Sequence, residues 1–262
     1  MTGAGPLAPL ATSPRTAGLL SDFDGTLAPI VADPADARPL PAGVRALAAL
    51  APRLGLVAVV SGRPVAFLRE HVPVPGVVLA GVYGLERLSG GDIVTDPRAT
   101  AHVGAVAASA AEAARRWPSL VVERKGSVAF TVHWRRAPQD APEREALESL
   151  AGEHGLRLTW GRQAAELLVP VRVDKGTVVA SLLDDRPVTV AAAAGDDVGD
   201  VAAFHALADR ATRQPPFRAV RVAVRSEESP PELLDAADAV VDSPAALAGL
   251  LADLAAALSS PG

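Results

Sequence analysis

A chain of 262 residues, 49% apolar and with a formal charge of −5, can bury a sizeable core and is poorly suited to nucleic acid or an anionic membrane surface. It has no cysteine, which removes disulfides and thiolate metal sites and fits a reducing, cytoplasmic setting. No uncharged apolar run reaches the roughly 18 residues needed to span a bilayer.

The first seventeen residues are rich in Pro, Ala, Gly and Thr, lack the basic start and apolar centre of a signal peptide, and are expected to form a loose tail. Gly18-Leu19-Leu20-Ser21 is then a short apolar run that ends in Asp22-Phe23-Asp24-Gly25-Thr26-Leu27. Read as the end of a buried strand, it presents Asp22 and Asp24 to one side, with their carboxylates roughly 7 Å apart. At an effective dielectric of about 20 that pair costs on the order of 2 kcal/mol, which a divalent cation or a shared proton relieves. Pro41 opens a helix with Val44, Leu47, Leu50 and Leu54 at helical spacing, closed by Gly55. Leu56–Val60 reads as a second buried strand ending at Ser61-Gly62-Arg63-Pro64, Val65–His71 as a helix, and Val77–Ala80 as a third strand. Gly81-Val82-Tyr83-Gly84-Leu85-Glu86 follows, then a hairpin about Gly90-Gly91.

Near Ala99 the rhythm changes. An Ala-rich helix runs to Trp117, followed by strands over 120–124 and 127–135, a helix near 142–154, and two strands across 156–170. Val128, Phe130, Val132 and Trp134 alternate with Ala129, Thr131, His133 and Arg135, so one face of that strand is apolar and the other polar. From Asp174 the buried-strand pattern returns: helix 175–183, strand 188–194, helix 201–208, strand 219–224, a short helix after Pro231, strand 239–241 and a helix from Pro244. The predicted fold is α/β, a doubly wound, mostly parallel, Rossmann-like sheet over 18–98 and 171–262, with a small α+β cap inserted over 99–170.

Three strand ends and one helix start carry the polar residues that phosphoryl transfer needs. Ligands of open parallel sheets bind outside these ends. One of Asp22 and Asp24 is able to attack phosphorus while the other handles protons, although a plain Asx turn would also place acids there. Gly195-Asp196-Asp197-Val198-Gly199-Asp200 is suited either to the oxygen shell of Mg²⁺ or to capping the next helix. The Ser61 hydroxyl suits a phosphoryl oxygen or a helix cap. Lys175 suits neutralising a phosphate and an attacking carboxylate, or simple solvent exposure. Of 25 basic residues, only Lys125 and Lys175 are lysines. A bias that has converted nearly every other cation to arginine leaves lysine where a slender stem with a compact charge matters.

DFDGT, Ser61, Lys175 and GDDVGD, in that order, resemble the four motifs of the haloacid dehalogenase superfamily of aspartate-nucleophile phosphatases. The resemblance implies Asp22 as nucleophile and Asp24 as acid/base, with Mg²⁺ held by Asp22, the backbone carbonyl of Asp24 and Asp196, and Asp197 or Asp200 in support. DFDGTLAPIV, VVSGRP, GVYGLE, VERKG, TVHWRRAP and AELLVPVRVDKGT are similar more narrowly to the trehalose-6-phosphate phosphatases. That likeness implies a phosphorylated disaccharide as substrate. It also implies that the cap provides sugar contacts through Glu123, Lys125, His133, Arg135 and Glu166, with Arg63 and Glu86 at the rim of the core. A monomer without nucleic-acid or membrane partners is expected. The family commonly reads GDDxTDE, whereas Gly199 and Val201 stand here, a change that spares the metal ligands and alters one sugar or supporting contact. Other readings stay open at this point: a phosphatase of another sugar phosphate or a phosphomutase, a metal-binding pseudoenzyme, or a receiver-like switch. The last would leave Asp24 and the cap without a purpose.

Overall fold

The computed structural model describes residues 4–259 apart from 32, 162, 227 and 228. Order begins earlier than composition suggests. Two 3-10 turns, Gly5–Leu7 and Pro14–Thr16, flank helix α1 (Ala8–Thr12), and Ala4, Leu7 and Leu10 are completely or almost completely buried. The expected loose tail is therefore corrected for residues 4–16; residues 1–3 lie outside the described residues. Its physical reason is the apolar side of this segment, which packs with Leu247, Leu251 and Leu254 near the other end of the chain.

Strand β1 (Ala17–Ser21) is buried at all five positions, as is β2 (Leu56–Val60), and helix α2 (Pro41–Leu50) lies between them. Helix α3 (Val65–His71) leads to β3 (Val78–Gly81), and the Gly90-Gly91 turn joins β4 (Glu86–Ser89) to β5 (Asp92–Thr95). Next come α4 (Pro97–Thr100), α5 (Val103–Arg116), β6 (Val121–Lys125), β7 (Ala129–His133), α6 (Arg144–Glu153), β8 (Arg157–Gly161) and β9 (Ala164–Leu168). The chain then forms α7 (Lys175–Asp184), β10 (Val190–Gly195), α8 (Val198–Arg213), β11 (Arg218–Val224), α9 (Pro231–Ala236), β12 (Ala239–Val241) and α10 (Pro244–Ala257).

These strands make an eight-stranded sheet in the order β12-β11-β10-β1-β2-β3-β4-β5 and a four-stranded sheet in the order β6-β7-β9-β8. The six strands from β12 to β3 run parallel, β4 and β5 continue antiparallel, and the smaller sheet is antiparallel throughout. Parallel strands covered on both faces need unbroken apolar sequence, which is why β1, β2 and β10 show no polar alternation. One face of the large sheet packs Leu47, Leu50, Leu247 and Leu251 from α2 and α10, and the other packs Val178, Leu182, Phe204 and Leu207 from α7 and α8. The smaller sheet lays Phe130, Val132, Ala165 and Leu167 against Val106, Ala110, Leu147 and Leu150 of its own helices. Val82 and Leu85 join that second core from the turn between β3 and β4 of the large sheet, so the two units share apolar packing.

Some helix boundaries differ from expectation: α2 stops at Leu50, and α8 runs on to Arg213. Helix α8 begins at Val198 rather than Val201, because Asp197 accepts from the Gly199 amide and forms a reciprocal capping box with Asp200.

Candidate active site

The sheet order places β2 on one side of β1 and β10 on the other, the reversal of winding at which open α/β sheets form a crevice. Asp22 follows β1, Ser61 follows β2, Asp196 follows β10 and Ser226 lies just beyond β11, so separate stretches of sequence deliver polar groups to one edge. The Asp22 amide donates to the Ala194 carbonyl at 2.9 Å, extending the β1–β10 ladder to the first acid. A cavity of about 660 Å³ opens there, lined by Asp22, Asp24, Ser61, Arg63, Lys175, Asp196 and Asp197 and, from the smaller sheet, by Glu123, Lys125 and His133.

Lys175 opens α7 with its ammonium buried, 2.8 Å from Asp200, 3.1 Å from Asp22 and 3.5 Å from Asp197. Four carboxylates, counting Asp196, thus crowd one cation. Burial pushes the Asp22 carboxyl up to about 7 against the pull of Lys175, and Asp197 and Asp196 add to the push. Asp196 also rises to about 7, from burial first and then from Asp200 and Asp197. Asp200 stands well above the ordinary range, again through burial and next through Asp22. For Asp197 the pull of Lys175 and its hydrogen bonds outweigh burial, and its carboxyl lies low.

Oxygen ligands of Asp22, Asp196 and Asp200 come within 4.8 Å of one another. Three hard donors whose ionised forms are disfavoured without a further positive charge fit a hard divalent cation. Local structure serves the same set. Thr26 donates to Asp196 at 3.1 Å, and Gly25 adopts φ +70° where a Cβ would overlap the Asp196 carboxylate. Asp197, expected among the ligands or their supports, caps α8 and stands outside this triad, with its side chain 59% exposed.

Asp24 turns to a different partner from Asp22. The Arg63 guanidinium grips both its oxygens, at 2.7 and 2.8 Å, while stacking 4.6 Å from the Phe67 ring centre. The two acids line one cavity, yet each has its own cation, which answers the mutual repulsion expected of them. Ser61 is buried at the cavity wall, and its hydroxyl accepts from the Arg63 amide at 3.2 Å.

Across the cavity, strand register aligns Glu123, Thr131, Glu166 and Thr159 in one row of the smaller sheet, with Lys125 and His133 two residues further along their strands on the same face. Glu123 meets His133 at 2.8 Å, a bond that holds the Glu123 carboxyl below its usual range, and Lys125 meets Glu166 at 2.6 Å. Between those carboxylates the buried Thr131 hydroxyl has no partner among the described residues.

Two expected contacts lie elsewhere. Strand β7 ends at His133, so Arg135 falls in the following turn, exposed and off the cavity wall. Glu86 is buried, and its oxygens accept from the Val65 and Ser127 amides at 3.0 and 3.3 Å. Glu86 was expected at the core's rim as a sugar contact; its carboxylate faces these backbone donors and is absent from the cavity lining. Glu166 reaches the site through Lys125 and is absent from the lining. Sequence reasoning passed over Tyr83, Ile30, Pro34 and Ser226, which do line the cavity. The only tyrosine of the chain, set between glycines in a motif already singled out, was the available signal.

Residues 20–235 match the family model described as trehalose-phosphatase. The chain is 33% identical to the trehalose-phosphate phosphatase of Mycobacterium marinum, covering 96% of itself and 64% of that protein. It is 35% identical to that of Mycobacterium avium, covering 88% of itself and 60% of the relative. It therefore spans somewhat under two thirds of the length of these relatives. Among solved structures, Aspergillus fumigatus trehalose-6-phosphate phosphatase superposes with a TM-score of 0.64 at 25% identity, with 97% of each chain covered. A protein described as related to trehalose-6-phosphate phosphatase gives a TM-score of 0.72 at 22% identity, over 91% of this chain and 97% of the other, a likeness of fold.

Proposed function

Because the chain belongs to the trehalose-phosphatase family, we propose that it is a Mg²⁺-dependent phosphatase that hydrolyses trehalose 6-phosphate to trehalose and phosphate. The observation that carries this reading is the union, around one cavity, of the Asp22–Lys175–Asp196–Asp200 cluster with the Glu123, Lys125 and His133 face of the smaller sheet. The volume falls within the roughly 300–1,000 Å³ of small-molecule sites. Carboxylates accept from sugar hydroxyls, and the cations suit a phosphate dianion.

In the reaction, an Asp22 oxygen bonds to phosphorus as the bond from phosphorus to the sugar oxygen breaks, and Asp24, parted from Arg63 and having taken up a proton from solvent, passes that proton to the leaving oxygen. Water then attacks the aspartyl phosphate, returns a proton to Asp24 and releases phosphate. Lys175 balances charge on Asp22 and on the transferred group, and the Ser61 hydroxyl donates to a phosphoryl oxygen. Arg63 occupies both oxygens of Asp24 before substrate arrives; a phosphate offers the guanidinium another partner, and Asp24 is then free to meet the leaving oxygen. Asp22, Asp196 and Asp200, with the Asp24 carbonyl, would hold Mg²⁺, which when bound supplies charge stabilisation to the phosphoryl oxygens. The smaller sheet and its helices act as a cap that excludes water and reads the sugar. Among the described residues no helix is long and apolar enough to cross a membrane, and a cytoplasmic setting accords with the cysteine-free sequence.

Phosphate release from trehalose 6-phosphate, sucrose 6-phosphate and glucose 6-phosphate, with and without Mg²⁺, tests the reading. Trehalose 6-phosphate should be the preferred substrate, EDTA should silence turnover, and Asp22→Asn should abolish it. Preference for another phosphate overturns the substrate, and normal turnover by Asp22→Asn overturns the mechanism.

A further inference from the structure

Glu86 is a buried acid that neither lines the cavity nor meets a cation among the described residues, yet its two oxygens are spent on two different walls of the site. One accepts from the Val65 amide at 3.0 Å, two residues after Arg63. The other accepts from the Ser127 amide at 3.3 Å, two residues after Lys125. The backbone around it is shaped for this reach. Val82 and Tyr83 both adopt positive φ, of 46° and 56°, the first a costly conformation for a β-branched residue. Their amides donate to the Arg63 and Ser61 carbonyls at 2.9 and 3.0 Å, which ties the strained turn to the same loop. On the opposite wall, Gly126 sits at φ +60° where a Cβ would overlap the Glu86 carboxylate.

We propose that Glu86 is a positioning residue that fixes the spacing between Arg63, beside the reacting phosphate, and Lys125, on the sugar-reading face, and so sets which phosphorylated sugar fits between them. The inference rests on the sugar-phosphatase reading. A single carboxylate bridging two amides is a short, stiff strut, whereas the shared apolar packing of Val82 and Leu85 resists separation but not sliding. An aryl phosphate needs only the Arg63 side of the gap; a sugar phosphate needs both sides at the correct distance.

The test pairs Glu86→Gln, which turns an amide group toward one of the two N–H donors, with Gly126→Ala, which displaces the carboxylate without removing it. Amide hydrogen exchange at Val65 and Ser127 is read without substrate and should quicken at least tenfold in both variants, while the α2 and α10 amides keep their protection. The ratio of kcat/KM for the sugar phosphate that the wild type cleaves best to that for p-nitrophenyl phosphate should fall at least tenfold, mainly through KM. Unchanged exchange at the two amides, an unchanged ratio, or equal losses on both substrates would overturn the proposal. If Glu86→Gln fails to fold, Gly126→Ala carries the same outcomes. A wild type inactive on trehalose 6-phosphate but selective for another sugar phosphate would defeat the substrate assignment and leave the strut testable.

Discussion

Binding of Mg²⁺ should expel at least about one proton at pH 7. Asp22 and Asp196 are both pushed up to about 7, so together they carry about one proton there that the cation must displace, and Asp200, raised as well, adds to it. Apparent affinity should therefore rise with pH. Below pH 7 Asp22 and Asp196 both hold protons and the dependence steepens to at least two protons, about a hundredfold per pH unit or more. Stability of the metal-free chain moves in the opposite direction. A carboxyl whose folded pKa exceeds its unfolded value keeps a proton that the unfolded chain loses between about pH 4 and pH 7, so stability falls as pH rises through that window and levels off above it. A rise from about 4 to about 7 in one acid acting alone corresponds to about 4 kcal/mol, and Mg²⁺ should recover a large part of the loss. Titration calorimetry in two buffers of different ionisation enthalpy reads the proton, and thermal melting between pH 5 and 8, with and without Mg²⁺, reads the stability. Affinity independent of pH from 6 to 8, with no buffer-dependent heat, would refute the reasoning.

Lys175→Arg should keep the fold yet lose at least about tenfold in kcat, equivalent to roughly 1.4 kcal/mol, because a planar fork does not fit where a compact ammonium meets three carboxylates within 3.5 Å; steady-state kinetics equal to those of Arg210→Lys would contradict it. Glu123→Ala should cut kcat/KM for trehalose 6-phosphate by about 10 to 100-fold, the weight of one charged hydrogen bond, and affect p-nitrophenyl phosphate far less. Equal losses on the two substrates would place Glu123 in folding or in the chemical step. Leu10→Ala, at a fully buried position, should destabilise by about 2–5 kcal/mol, seen as a lower urea midpoint at constant m value. An unchanged midpoint would mean that the packing of residues 4–16 contributes little.

Much of this arrangement was legible because the physics was local. Leu56–Val60 and Val65–His71 have the same bounds in sequence and structure, since an apolar run closed by Ser61-Gly62 and a Pro64 entry leave little latitude. The acids at the ends of β1 and β10 could be read as one site once both runs were taken as central strands. The departures arose where a residue had two possible partners. Asp197 and Asp200 suit a cation or a helix start, and the chain spends both on the start of α8, while Asp200 also stands in the candidate metal triad. Glu86 suits a sugar hydroxyl or an amide, and the choice depends on Val65 and Ser127, remote in sequence. The first seventeen residues look featureless by composition, and only the far end of the chain reveals what Leu7 and Leu10 face.

The placing of β1 beside β10 has a consequence for how the molecule comes into being. The Thr16–Thr189 contact at the foot of that ladder joins positions 173 residues apart, so on a ribosome the strand that leads to Asp22 waits for most of the chain before it gains that neighbour. The smaller sheet closes wholly within 121–168 and needs no such wait. Local contacts form sooner than distant ones, because less chain entropy is lost in closing them. The surface that would recognise the sugar is thus assembled ahead of the centre that would cleave it, and a nascent chain acquires a shape for its ligand before it acquires chemistry.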